Sequence, residues 1–278
     1  MRVLIYGAGQ TGNQILKCIC NQYDVIGFLD GNPEKKGVVI DGIPVLGDIE
    51  ILSQVFYDKI FIGTFFYEPI KNKLLNAGVK ESKIAIELPM DFSSPIRDVW
   101  LECYGKLYYD TNLAVAEAGV YRGNFASKIN KAFPHSILHL FDTFEGFDER
   151  DVLIEKNKYS TNIDEYCFSN TSVELVMSKM DFPQNVRIHK GFFPETTIGI
   201  DDQFIFVNLD FDLYQPVLEG LRFFYPKMHW GSILLVHDYY HIGLPGIKDA
   251  IIFYEKEIKQ TLVKLPIGDH QSIAIVKT

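Results

Sequence analysis

The sequence predicts an α/β protein built from two doubly wound, parallel-sheet (Rossmann-like) domains, residues 1–90 and 91–278. Three observations carry this reading. Short apolar runs of the kind that buried parallel strands show recur along the chain, as in Val3-Leu4-Ile5-Tyr6, Phe204-Ile205-Phe206-Val207 and Ile233-Leu234-Leu235-Val236, with amphipathic stretches between them. Several of these runs empty at their carboxyl ends into glycine turns or acids, where open parallel sheets place their ligands. Glu87-Leu88-Pro89-Met90-Asp91-Phe92-Ser93-Ser94-Pro95, two prolines bracketing residues without periodicity, reads as the boundary.

In the first domain the strand at 3–6 runs straight into Gly7-Ala8-Gly9-Gln10-Thr11-Gly12, and a helix follows with Ile15, Leu16 and Ile19 on one face. A second strand, Val25-Ile26-Gly27-Phe28-Leu29, ends in Asp30. Gly7, Gly9 and Gly12 let backbone N–H groups approach a pyrophosphate at the helix N-terminus, and Asp30 is placed to accept ribose hydroxyls. The unit is thus a candidate site for a nucleotide or NAD(P); the alternative is a tight turn kept for packing that binds nothing. A short helix at 49–55, a strand at 59–63, a helix at 69–77 and a last strand at 83–86 complete it, about half of a full dinucleotide domain.

The second domain opens with a helix at 98–109 carrying Trp100, Leu101, Tyr104 and Leu107. A strand then delivers Glu117, Gly119, Tyr121 and Gly123 before a helix at 124–133; here the acid precedes the glycines. Ile137-Leu138-His139-Leu140-Phe141 ends in Asp142, placed for ribose hydroxyls by the same logic as Asp30, and Thr143 follows in a distinctive turn. Residues 148–170 are charged and aperiodic, too long for a plain connection, and read as a lid or binding loop. Thr171 and Glu174 fit a capping box at the next helix. Val186-Arg187-Ile188-His189 is a third strand, delivering Gly191.

The stretch 204–240 then reads as strand, helix and strand, with Pro216 suited to the first helical turn and Gly231 restarting the chain into the second strand. Asp210, Asp212, His237 and Asp238 follow the two strands and should lie side by side at the sheet rim, as a metal-ion or proton-transfer site. A helix from Pro245 places Ile247, Ala250, Ile251, Tyr254 and Ile258 on one face. A hairpin, 262–265 with 272–276, ends the chain.

Bulk properties bound the partners. A net charge of −9 argues against a sequence-independent grip on nucleic acid. No apolar run approaches the roughly 20 residues needed to span a bilayer, and the first strand begins without a charged leader. The four cysteines form no paired CxxC pattern and are expected reduced and buried. A cytoplasmic protein is expected, with neither nucleic acid nor membrane as partner. The aromatics at 104–109 offer an interface for a homo-oligomer.

Two resemblances add to this. Phe28-Leu29-Asp30-Gly31-Asn32-Pro33 and Gly42-Ile43-Pro44-Val45-Leu46-Gly47 resemble the small nucleotide-binding-like domains of polysaccharide-biosynthesis proteins. Glu117-Ala118-Gly119-Val120-Tyr121-Arg122-Gly123 has the first-motif pattern of class I S-adenosylmethionine-dependent methyltransferases. With Phe141-Asp142-Thr143-Phe144-Glu145-Gly146-Phe147, Gly191-Phe192-Phe193-Pro194-Glu195-Thr196, Leu209-Asp210-Phe211-Asp212-Leu213-Tyr214, Val236-His237-Asp238-Tyr239 and Pro245-Gly246-Ile247-Lys248, residues 113–259 resemble the macrocin/mycinamicin-type sugar O-methyltransferases. The resemblance implies methyl transfer from S-adenosylmethionine to a sugar hydroxyl of a small-molecule or glycan substrate, assisted by a divalent cation such as Mg2+.

It implies cofactor contacts from Glu117, Gly119, Tyr121, Gly123, Asp142, Thr143, Gly191 and Asp210. Asp210 and Asp238 map onto the metal ligands, and His237 stands where the better-known members carry a second Asp. Histidine prefers softer ions than Mg2+. His237 is therefore either a third ligand or, with His241 and Asp212, a candidate to take the hydroxyl proton. A catechol-type O-methyltransferase would share the cofactor and metal sites and differ in acceptor. A nucleotide-sensing or scaffold protein of glycan assembly is the non-enzymatic alternative.

Overall fold

A computed structural model describes residues 1–20, 22–64, 67–85, 95–159, 161 and 163–278. The chain divides into two compact units, Met1–Asp91 and Phe92–Thr278. Most of the expected linker, residues 87–94, and the end of the expected strand at Ile86 lie outside the described residues.

Unit 1 contains β1 (Arg2–Tyr6), α1 (Gln10–Ile19), β2 (Asp24–Leu29), β3 (Val39–Ile40), β4 (Ile43–Gly47), β5 (Lys59–Ile62), α2 (Tyr67–Asn76) and β6 (Ile84–Ala85). The sheet order is β3-β4-β2-β1-β5-β6, parallel except for the β3–β4 hairpin. Central β1 is buried through Val3, Leu4 and Ile5, as a doubly covered strand must be. Two expectations change. The segment Ile49–Ser53 is a 3-10 helix rather than an α-helix, started by Asp48, whose side chain accepts the Ile49 N–H. The last strand shrinks to Ile84–Ala85 because Lys83 belongs to a preceding 3-10 turn.

Unit 2 contains α3 (Pro95–Leu107), β7 (Ala114–Ala118), α4 (Asn124–Ala132), β8 (Leu138–Asp142), α5 (Glu149–Tyr159), α6 (Val173–Met177), β9 (Val186–Lys190), β10 (Phe204–Leu209), α7 (Tyr214–Lys227), β11 (Met228–Val236), α8 (Pro245–Ile258), β12 (Val263–Pro266) and β13 (Ile273–Val276). The seven strands run in the order β12-β13-β11-β10-β7-β8-β9. The block from β11 to β9 is parallel, and β13 joins it antiparallel to β11. One face packs Phe141, Phe204, Val207 and Leu234 against Leu221 and Phe224 of α7 and Ile251 of α8. The other packs Val115, Leu140, Phe206 and Leu235 against Leu101 of α3 and Phe125 and Ile129 of α4. Strand residues alternate between these two cores, which is why β10 is apolar throughout except at Asn208.

Several expectations are corrected here. The span 148–170 contains a helix, α5, hidden from periodicity because its buried face pairs Val152 with two carboxylates, Asp151 and Glu155. The cap of α6 is Ser172, whose hydroxyl accepts the Leu175 N–H at 3.1 Å, while Thr171 donates to the Tyr121 carbonyl. Gly231 lies inside β11 at a register shift against β10 rather than at the strand's start. Tyr104 is core, not interface: it is buried and its hydroxyl donates to the Ile205 carbonyl at 3.1 Å, though Tyr109 is exposed. Of the cysteines, Cys18, Cys20 and Cys103 are exposed and only Cys167 is buried; all four are free. No helix among the described residues is long and apolar enough to cross a membrane.

Candidate active site

The carboxyl ends of the parallel strands are tied edge to edge by backbone hydrogen bonds one residue at a time. The Gly191 N–H donates to Asp142 O at 3.0 Å, Gly119 to Phe141 O at 2.9 Å, Asp210 to Ala118 O at 2.8 Å and His237 to Leu209 O at 2.9 Å. This ladder sets the sequence-predicted residues 142, 119, 210 and 237 in one row along the rim. Close approach is possible at its centre because residue 119 is glycine: at φ 87° a Cβ there would overlap the Asp210 carbonyl.

On one side of the row is a glycine turn organised by an acid. Asp142 Oδ2 accepts the N–H groups of Val120 at 2.6 Å and Tyr121 at 2.8 Å, and Oδ1 accepts Phe144 N–H at 2.6 Å. The carboxylate thus fixes the turn through three amides before any ligand arrives. Burial raises its pKa against the pull of those amides. Thr143 turns inward on its own loop and donates to the Gly146 carbonyl. Tyr121 is held at φ 50° with its hydroxyl donating to Asn170 Oδ1 at 2.7 Å. Gly123, at φ 73°, starts α4 against Val176. Glu117 is 2% exposed; its Oε1 accepts from Asn208 Nδ2 at 3.0 Å, while Oε2 has no hydrogen-bond partner among the described residues. Burial first, then the neighbouring Asp210, pushes the Glu117 carboxyl well above the usual range.

Unit 1 repeats the device. Asp30 Oδ2 accepts the Ala8 N–H and the Lys35 ammonium, each at 2.8 Å, and Oδ1 accepts Asn32 N–H at 2.9 Å. Gly7, Gly12 and Gly63 are packed backbone to backbone, whereas a Cβ on Gly9 would meet nothing within 4 Å among the described residues. Tyr6, Asp48 and Lys73 form a hydrogen-bonded cluster at the same strand ends.

On the other side of the row in unit 2, three ligand-type atoms converge. Asp210, His237 and Asp238 each offer one, all within 4.8 Å of one another. His237 Nδ1 lies 2.9 Å from Asp210 Oδ1 and 3.0 Å from Asp238 Oδ2, yet makes no hydrogen bond of acceptable geometry to either. Its Nε2 faces Gln271 Oε1 at 3.2 Å. Burial disfavours the imidazolium, but the two carboxylates outweigh it and push the ring's pKa up to about 10. Asp212 is at φ 62°, its carboxyl pushed well above the usual range by burial and by Asp238 and Asp210, and bonds to Asp238; Asp238, beside His237, is held low despite its own burial. His241 is exposed, its Nδ1 accepting the Gly243 N–H at 3.1 Å.

One residue escaped the sequence reading. Arg97, in the first turn of α3, is 4% exposed, lies 4.0 Å over the Phe125 ring and reaches Asp210 Oδ2 at 3.4 Å. The available signal was its position in register with Leu101 and Tyr104, a charge on the apolar stripe of its helix.

Family models match both units. Residues 1–85 match the N-terminal domain of C2185-like proteins, and residues 110–268 match macrocin-O-methyltransferase (TylF). Among solved structures the chain is similar to the O-methyltransferase NovP, at 21% identity over 66% of this chain and 80% of that one, with a TM-score of 0.52. It is also similar to CalS11, a calicheamicin methyltransferase, at 18% identity over 75% and 90% of the two chains, with a TM-score of 0.55. At these identities the likeness concerns the fold. A search of curated proteins returned no match.

Proposed function

The chain belongs to the macrocin-O-methyltransferase family, and from that premise we propose that it methylates a sugar hydroxyl, on a glycan or a nucleotide sugar, using S-adenosylmethionine and a divalent cation. The observation that carries the cation is the position of His237 Nδ1 between two carboxylates without a directed hydrogen bond to either. Two carboxylates this close to one ring nitrogen need positive charge among them, which either a ring proton or, in its place, a bound divalent ion supplies. A nitrogen and two carboxylate oxygens fit a divalent ion, with histidine favouring the softer ones. Asp210, Asp238 and His237 would hold it, and when bound it would lower the pKa of a coordinated hydroxyl by several units.

The remaining residues divide the work. The turn at Gly119, Tyr121 and Gly123, braced by Asp142, with Thr143 and Gly191 on the neighbouring strand ends, forms the cofactor half, and Glu117 offers its unpaired oxygen to the donor's ammonium. Neither histidine turns a free lone pair outward: His237 Nδ1 lies between two carboxylates and its Nε2 faces Gln271, and His241 Nδ1 holds the Gly243 amide. Asp212 is already engaged by its hydrogen bond with Asp238. This favours cation-assisted acidification over a dedicated base, which alone contributes about 10²–10⁴-fold.

For unit 1 we propose a nucleotide at the Gly7 to Gly12 turn, supported by the open space at Gly9. The test of the main reading is a mass-spectrometric screen of nucleotide sugars, glycans and catechols for methyl gain, with and without chelator. Methylation of catechols alone would replace the sugar. Full turnover in chelator by folded Asp210→Asn and Asp238→Asn variants would remove the cation.

A further inference from the structure

Arg97 and Glu117 bring a guanidinium and a carboxyl group into the buried cofactor side of the rim, and among the described residues each keeps a polar atom without a partner. Arg97 is 4% and Glu117 2% exposed. Glu117 Oε2 and Arg97 Nε both lack a hydrogen-bond partner among the described residues, and no ion pair joins the two side chains. The guanidinium carries five N–H donors in a planar fork. Its one polar contact among the described residues, to Asp210 Oδ2 at 3.4 Å, is longer than the roughly 2.7–2.9 Å of a strong charge-assisted bond. A buried cation left this poorly paired is costly. Stacking on Phe125 fixes the plane of the fork without supplying an acceptor.

The surroundings select the missing acceptor. Phe125 belongs to α4, the helix that leaves the glycine turn, so Arg97 stands beside the turn rather than beside His241 and the outer loops. A phosphate there would meet the carboxyls of both Glu117 and Asp210. A zwitterion would not, since an ammonium on Glu117 and a carboxylate on Arg97 complete both side chains at once. We infer that Arg97 binds the α-carboxylate of the methyl donor's amino-acid end, opposite the ammonium site at Glu117. This rests on S-adenosylmethionine being the donor. Arg97 is then a cofactor-binding residue, and its contact with Asp210 couples an occupied donor site to the proposed cation site.

Calorimetry on the full chain with S-adenosylmethionine and with decarboxylated S-adenosylmethionine, which keeps the ammonium and lacks only the carboxylate, tests it. The wild type should bind the first about 10–100-fold more tightly, the worth of a charged hydrogen-bonded pair. Arg97→Met should lose that preference, weakening the first ligand and leaving the second within a few-fold. Arg97→Lys, which keeps charge without the fork, should fall between. Equal loss of both ligands in folded Arg97→Met would overturn the inference and leave Arg97 as a brace for Asp210. Should that variant not fold, the wild type still decides, because equal affinity for the two ligands also overturns it. Binding of neither ligand by the wild type removes the donor assignment itself.

Discussion

His237 Nδ1 stands 2.9 Å from Asp210 Oδ1 without pointing a hydrogen bond at it. On the proposed cation-assisted reading the histidine is a ligand rather than a base, and this sets the first prediction. Exchanging a nitrogen donor for an oxygen donor moves a site towards harder ions. His237→Asp should therefore shift the ion that best supports methyl transfer from Mn2+ or Co2+ towards Mg2+, read from activity across a metal series after chelation. An unchanged metal ranking would place His237 outside the coordination sphere.

Asp142 is predicted to matter through the turn more than through the ligand. Two amides converge on its Oδ2, and an Asn there would present at least one of the three amides with an N–H2 group. Asp142→Asn should cost about 1–3 kcal/mol of stability and weaken S-adenosylmethionine binding in calorimetry. A folded variant with wild-type stability and wild-type affinity would contradict both effects.

The strand ends were legible in the sequence, and what happens between them was less so. Apolar runs with acids behind them located Asp210, His237 and Asp238, because strand direction alone puts such residues on one rim. The partners those acids choose depend on loop geometry that no periodicity encodes. Asp30 and Asp142, expected to face ribose, accept amides of their own glycine turns, a role the spacing did not announce. Helix α5 was missed because the stripe that normally announces a helix is here partly ionisable, with Asp151 and Glu155 buried at positions i and i+4. Arg97 was missed for the same reason: a charge on an apolar face looks like an error until its neighbours are known.

Glu155 explains one glycine. Its Oε2 accepts the Tyr214 N–H at 2.9 Å, closing the first turn of α7, and its Oε1 lies where a Cβ on Gly246 would approach to 3.0 Å. That same Cβ would meet Tyr214 Cβ at 2.9 Å and Tyr159 Cε2 at 3.0 Å. Gly246→Ala should therefore destabilise unit 2 by about 1–3 kcal/mol through overpacking, seen as a lower thermal midpoint. An unchanged midpoint would mean that α5 moves aside freely.

Stability should fall with rising pH on account of Asp151. Burial, reinforced by Asp148, pushes its carboxyl up from 3.8 to about 7. The folded state thus keeps a proton that the unfolded chain releases, so the contribution is full below about pH 4 and is lost as pH rises through 7. Asp151→Asn should leave stability nearly unchanged at pH 4 and raise it at pH 8, by on the order of 2 kcal/mol. Denaturant titrations of both proteins at the two pH values measure this, and an equal gain at both would place the effect outside titration.

The glycines of unit 1 should separate packing from binding. Gly12 faces the Gly7 carbonyl so closely that no side chain fits, and a Cβ added to Gly63 would come within 2.8 Å of Gly12 Cα. Gly12→Ala should cost about 3 kcal/mol or more as backbone is forced apart. Gly9 has an extended backbone, φ −116° and ψ −164°, that any L-residue adopts, and a Cβ there would meet nothing within 4 Å among the described residues. Gly9→Ala should therefore fold as well as wild type or gain a few tenths of a kcal/mol from a less flexible unfolded chain. If a nucleotide occupies that space, folded Gly9→Val should bind a nucleotide sugar far more weakly than wild type in titration calorimetry. Equal binding by the two would put the nucleotide elsewhere, and no binding by either would leave the turn to packing alone.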